Sequence, residues 1–178
     1  MKETDDTLLV RQCLEGKSEA FEAIVDRYQN VIFNLALRMS NDSDDAEDIA
    51  QTVFIKAYEG LVSFNPRYKF FSWLYRIAIN ESLNYASLRR QHETLDESVI
   101  SNDKPADEKY CDFELSHTIQ NALMELALDY RIILVLKHFQ DLSYSEIAYV
   151  LEIPEKTVKS RLFTARQSLR TILIRERI

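Results

Sequence analysis

Two glycines and three prolines in 178 residues constrain this chain more than any other feature. Sheets and barrels of this size turn often, and tight turns draw on glycine and proline. A chain that nearly dispenses with both is expected to be all-α. The apolar positions agree. From residue 18 onward, Phe21, Ile24, Val25, Tyr28, Val31, Ile32, Leu35 and Met39 keep helical spacing, which marks the buried stripe of a long amphipathic helix. An apolar fraction of 46% is enough for a core, while the longest apolar run is far too short to span a bilayer.

The same reading divides the chain into two small helical domains joined by a flexible acidic linker. Residues 1–91 form the first. Residues 7–15 read as a short helix with Asp5 and Asp6 at its positive end and Gly16 as its stop. The long helix follows, then a loop at residues 41–43. Asp44 and Glu47 give a capping pattern for a helix that buries Ile49, Val53, Phe54, Ala57 and Tyr58. Residues 63–69 hold Pro66 and read as a loop. A fourth helix over residues 71–90 carries Trp73, Leu74, Ile77, Ala78 and Leu88. Residues 92–112 lack periodicity, are rich in acids and Ser, and read as a linker that buries no core of its own. The second domain, residues 113–178, starts with helices to Leu126 and over residues 129–139.

It ends in residues 141–172, DLSYSEIAYVLEIPEKTVKSRLFTARQSLRTI, which read as two helices around a tight turn. Ser143 followed by Glu146 is a capping box. Ile147, Ala148 and Leu151 share one face of the first helix. Pro154 restarts the chain where a missing N–H is harmless. Val158, Leu162, Ala165, Leu169 and Ile172 make the buried stripe of the second helix, with Lys159, Ser160, Arg161, Phe163, Thr164 and Arg166 around it. Lys156, Lys159, Arg161, Arg166 and Arg170 meet no acid between residues 156 and 175, whereas a merely solvated face mixes both signs. This is the pattern of a helix-turn-helix whose second helix enters a major groove.

A net charge of −7 looks wrong for a nucleic-acid binder, but the charge is partitioned. Residues 1–65 carry −7 and residues 93–130 carry −8, while residues 66–92 and 131–178 carry +4 each. Two basic blocks imply two DNA-contacting surfaces, and the acidic N-terminal block implies a basic partner of another kind. In the first basic block Phe64, Tyr68, Phe70, Phe71, Trp73 and Tyr75 crowd beside Arg67, Lys69 and Arg76. Aromatic rings stack on unpaired bases and cations hold phosphates, so the segment suits single strands. About half of these rings are expected in the core. Asn80 and Asn84, a turn apart, present amides to base edges.

Other classes fit less well. The acid pairs Asp44/Asp45 and Glu47/Asp48 have no accompanying nucleophile, histidine or glycine-rich phosphate loop, so no enzyme is expected. Cys13, Cys111 and three histidines match no metal spacing, and no cofactor or metal is expected. The cysteines read as reduced thiols of a cytoplasmic protein. A conventional helix-turn-helix regulator would read a palindrome as a dimer, and has no use for the aromatic and basic loop. A structural adaptor leaves both basic blocks unexplained.

With these pieces in place, the chain resembles the sigma-70 family of RNA polymerase sigma factors, in its small two-domain extracytoplasmic-function (ECF) group. FEAIVDRYQNVIFNLALRM, DAEDIAQTVFIKAYEGLVSF and FSWLYRIAINESLNY are similar to the family's region 2, and LSYSEIAYVLEIPEKTVKSRLFTAR to its region 4. The resemblance implies core RNA polymerase and promoter DNA as partners. An anti-sigma factor, membrane-bound in many relatives, is a further partner in the family. It implies that Asp48, Gln51, Phe54 and Ile55 dock on core polymerase. It places Phe64, Arg67, Trp73, Arg76, Asn80 and Asn84 at the −10 element, where a non-template base flips into a pocket. It assigns the −35 element to Lys159, Ser160, Phe163 and Thr164, with Arg161, Arg166 and Lys137 on the phosphates. Three positions depart from the pattern: Glu152 stands where the family usually has Gly, Asn84 where many members have Asp, and Thr164 where many have Arg.

Overall fold

The structure is a computed structural model that describes residues 3–93 and 110–175. These residues form eight α-helices and no strand: α1 (Glu3–Leu14), α2 (Ser18–Ser40), α3 (Ser43–Gly60), α4 (Phe70–Glu93), α5 (Tyr110–Glu125), α6 (Leu128–Leu134), α7 (Tyr144–Leu151) and α8 (Glu155–Arg175). The expected linker lies mostly in residues 94–109, outside the described residues. The helix α5 starts at Tyr110, a little before the expected Phe113.

Local chemistry explains most helix ends. Gly16, at φ 90°, closes α1 in a conformation that disfavours any side chain. Asn41, at φ 60°, ends α2 with its N–H on the Leu37 carbonyl, and asparagine tolerates this left-handed geometry better than most residues. The cap of α3 is Asp42, whose carboxylate accepts from the Asp44 and Asp45 N–H groups at 3.0 Å. The expected Asp44–Glu47 cap therefore shifts toward the N-terminus, because Asp42 already holds the first free donors. The sequence-expected helix over residues 129–139 begins as α6 and widens at Val135–Phe139 into π-helical turns.

Buried residues of both halves join in one core, with Ile24, Ile32, Leu35, Leu74 and Ile79 in the same cluster as Leu123, Ile133, Leu134, Leu136 and Ile147. Of the positions expected in the core, Val25 is only half-buried, Tyr58 is 60% exposed and Leu88 56% exposed. The last two sit at the flank of the buried stripes Val53–Ala57 and Ala78–Ser82, where helical rotation turns them off the core and toward solvent.

The two halves meet along two seams. At the first, carbonyls at the C-terminal end of α2 accept donors from the other half, the Leu37 carbonyl in addition to its bond from the Asn41 N–H. Gln120 Nε2 donates to the Leu37 carbonyl at 3.2 Å, and Arg131 Nη1 donates to the Met39 carbonyl at 2.8 Å. Arg131 also donates to the Leu123 and Met124 carbonyls at 3.0 and 2.8 Å, so one buried guanidinium clasps the ends of α2 and α5 together. Arg38 donates to Gln120 and lies 4.3 Å over the Phe139 ring. At the second seam, α7 lies against α4.

Candidate nucleic-acid interface

The C-terminal surface is built as its capping chemistry dictates. Ser143 Oγ accepts from the Glu146 N–H at 3.2 Å and Glu146 accepts from the Ser143 N–H at 2.8 Å, completing the capping box of α7. Its buried residues are Ile147 and Val150, with Ala148 and Leu151 only half-buried, so the buried face is turned slightly from the expected one. Glu152, at φ 54°, makes the turn, and Val158, Leu162 and Ala165 seat α8 in the core. That leaves Lys159, Ser160, Phe163, Thr164 and Arg166 exposed on one side, with Phe163 66% exposed. An exposed phenylalanine on a basic helix face is poorly explained by solvation and well suited to an apolar base edge. Lys159 pairs with Glu155 one turn earlier at 2.8 Å. Ser160 and Thr164 donate to the carbonyls of Thr157 and Ser160.

Three expected phosphate contacts are engaged within the chain. Arg161 is half-buried and pairs with Asp129 at 3.3 Å. Lys137 donates to the Leu142 carbonyl at 2.9 Å, bracing the turn between α6 and α7. Arg166 donates from Nε to His138 Nε2 at 3.3 Å. Partial burial, then the neighbouring Arg166 and Lys137 charges, hold the His138 pKa below its ordinary value, which suits a neutral acceptor ring.

The N-terminal surface follows α4 and the loop before it. Of its aromatic rings, Phe70, Trp73 and Tyr75 are buried, Phe64 and Phe71 half-buried, and Tyr68 48% exposed. Trp73 packs with Phe64 and Phe70 at centroid distances of 5.7 and 5.6 Å, so its ring supports the loop from within. Asn65 Oδ1 accepts from the Arg67 N–H and its carbonyl from the Tyr68 N–H, fixing the turn that presents Arg67, Tyr68 and Lys69. A cavity opens beside this turn, between residues 66–71 and Asp6 and Thr7 of α1. Asn80 and Asn84 are exposed on α4, Asn84 within 3.5 Å of Glu81. Opposite, Asp45 accepts from Tyr85 and from Arg89, and Lys56 pairs with Glu81 at 2.7 Å, fastening α4 to α3.

A third surface lies on α3. Asp48 and Gln51 are exposed, Phe54 is half-buried and Ile55 is 54% exposed. The sequence reading missed its extension: Tyr58, edge-on to Phe21 at 4.9 Å, and Val62, 83% exposed, continue the apolar strip. The signal available was that Tyr58 and Val62 follow Ile55 at three- and four-residue intervals on its face.

The α4–α7 seam covers part of the N-terminal surface. Tyr68 stacks on Tyr149, centroids 4.1 Å apart and planes 21° from parallel. Lys69 pairs with Glu146 at 2.9 Å, Arg76 pairs with Glu152, and Tyr75 donates to Gln140 at 2.9 Å. Partial burial alone would raise the Glu146 pKa, but bonds from Ser143 and the Lys69 ammonium outweigh it and hold the carboxyl below its ordinary 4.5. A depressed carboxylate stabilises the folded state above its unfolded pKa and loses that stabilisation as pH falls through the folded one. Melting temperature is therefore expected to hold steady above pH 4.5 and to drop below it, with the drop shallower in Glu146→Gln.

Among the described residues, no three of His, Cys, Asp and Glu gather to hold a metal ion, and no helix is long and apolar enough to cross a membrane.

The described residues are all helical, with a helix-turn-helix at one end and an aromatic, basic helix at the other, the makeup of a DNA-binding transcription protein. Residues 24–93 match Sigma-70 region 2 and residues 116–169 match Sigma-70 region 4. The ECF RNA polymerase sigma factor SigW of Bacillus subtilis is 36% identical over 173 residues, spanning 90% of this chain and 92% of that one. Two solved structures share the fold. A complex of CnrH with the cytosolic domain of CnrY has a TM-score of 0.74 at 26% identity, covering 95% of this chain and 97% of that one. The sigma factor RpoE of Bartonella quintana, in complex with the anti-sigma factor NepR, has a TM-score of 0.72 at 25% identity, covering 86% and 96%. The chain belongs to the sigma-70 family, in its ECF group. As such it binds core RNA polymerase and directs promoter recognition in transcription initiation. A conventional helix-turn-helix regulator is not favoured, because the match spans both halves.

Proposed function

We propose the following division of labour. Residues 1–91 dock on core polymerase and open the −10 element, residues 92–112 link, and residues 113–178 read the −35 element, with no catalytic step by this chain itself. The observation that carries this reading is the presence of two separate basic surfaces, one built on the aromatic loop and α4, the other on the second helix of the helix-turn-helix. Asp48, Gln51, Phe54 and Ile55 dock on polymerase, and the exposed Tyr58 and Val62 extend that contact. Arg67, Arg76, Asn80 and Asn84 hold the unpaired strand, while Phe64 and Trp73 shape the loop from beneath. The cavity beside residues 66–71 takes a flipped base, whose unstacking costs a few kcal/mol. Lys159, Ser160, Phe163 and Thr164 face the −35 bases, and Lys137, Arg161 and Arg166 reach phosphates after exchanging their internal partners. The protein acts in the cytoplasm, and an anti-sigma factor holds it in reserve, as the NepR complex of its structural relative suggests.

The test is to mix the purified chain with core RNA polymerase and a genomic-fragment library and sequence the run-off transcripts. Defined starts sharing two upstream motifs are expected. Binding to a palindromic duplex without polymerase, and no defined starts, would overturn the reading.

A further inference from the structure

We propose that Glu155 and Lys159 read one base pair of the −35 element as a unit, and that the pair they select is G·C, with guanine on the side of Lys159. The inference rests on the assignment of Lys159 to the −35 bases and adds Glu155 to it. Glu155 opens α8, and its carboxylate lies 2.8 Å from the Lys159 ammonium one turn on. Both side chains are exposed, while Val158 and Leu162 of the same helix are buried. The Tyr144 ring lies 5.7 Å from the same ammonium and limits where it swings.

The spacing carries the argument. In the major groove a G·C pair presents an acceptor, guanine O6, beside a donor, the cytosine N4 amino group. A hydrogen bond of the base pair joins the two, which sets them about 2.9 Å apart. A donor and an acceptor held 2.8 Å apart on one helix match that edge, with the ammonium on O6 and the carboxylate on the amino group. A T·A pair offers the same order through thymine O4 and adenine N6, but lacks the guanine N7 that a lysine also reaches. Reversing either pair sets the carboxylate against an oxygen, which repels it. Glu155 thus adds discrimination chiefly by rejecting wrong pairs. An acid at a helix start and a Glu–Lys pair at this interval would stabilise any helix. This helix start, however, is the part of a helix-turn-helix that meets base edges, where an acid with no amino group to bind opposes the charge of the DNA.

The test uses the full chain assembled with core polymerase, and a promoter library in which each base pair of the mapped −35 motif is replaced by all four. Bound and unbound fractions are sequenced. The unaltered chain should prefer G·C at one position, with T·A next and the reversed pairs last. Glu155→Ala should raise binding of the reversed pairs relative to G·C by about five- to twentyfold at that position and leave the other positions alone. Glu155→Gln keeps the length but both donates and accepts, so it should flatten the same position less. A Glu155 that only stabilises α8 would shift affinity for every sequence alike. An unchanged base profile in both Glu155 variants would therefore overturn the proposal, and so would a preferred pair other than G·C at the position that responds. Lys159→Ala separates the two layers. If it alters the profile and Glu155→Ala does not, the joint reading fails and Lys159 keeps its role. If it alters no position, the assignment of Lys159 to the bases fails as well.

Discussion

Replacing Arg131 with alanine is expected to lower the unfolding free energy by about 3–5 kcal/mol, the largest effect of any single polar substitution in this chain. The side chain is 8% exposed and donates to the carbonyls of Met39, Leu123 and Met124. Truncation leaves these acceptors short of a donor in a site that water reaches poorly. Each such loss costs about 1–3 kcal/mol, offset in part by relaxation. The Met39 bond also crosses the first seam, so the two halves should loosen together. Arg131→Lys keeps the charge but not the planar fork, and should recover only part of the loss. Chemical denaturation measures both. A loss under about 1 kcal/mol for the alanine variant would mean that the seam is open in solution.

Asn80→Ala should leave affinity for core polymerase unchanged and reduce open complexes by about ten- to a hundredfold, the worth of a lost base-specific contact of about 1–3 kcal/mol. Asn80 is exposed on α4, away from the buried Leu74, Ala78 and Ile79. Alanine is also the better helix former. The fold therefore has no reason to suffer, and any loss reports on the strand. Permanganate footprinting of unpaired thymines reads opening, and gel shift of the polymerase complex reads assembly. Equal loss in both assays would remove Asn80 from the proposed role.

Much of this was legible in the sequence because it is local. Helical spacing, the Ser143–Glu146 box and Pro154 act within a few residues, and each reappears in α7 and α8. The segregation of charge into blocks survived folding for the same reason, since surface side chains stay near their own backbone. Errors arose where a residue's neighbours come from elsewhere in the chain. Tyr58 and Leu88 have the right residue type for a core but the wrong rotation on their helices. Trp73, an apolar position of the fourth helix that the family resemblance also assigns to the −10 element, packs against Phe64 and Phe70, a contact that no spacing rule gives.

The sequence by itself determined the all-helical class, the capping box of α7, the helix-turn-helix and the two basic segments, because periodicity, capping and charge are properties of short segments. Only the tertiary structure decided that Arg131 and Gln120 close the end of α2, and that Tyr149, Glu146 and Glu152 cover Tyr68, Lys69 and Arg76. Those pairs lie dozens of residues apart. No spacing rule links them, and the burial of one apolar core across both halves is what brings them together.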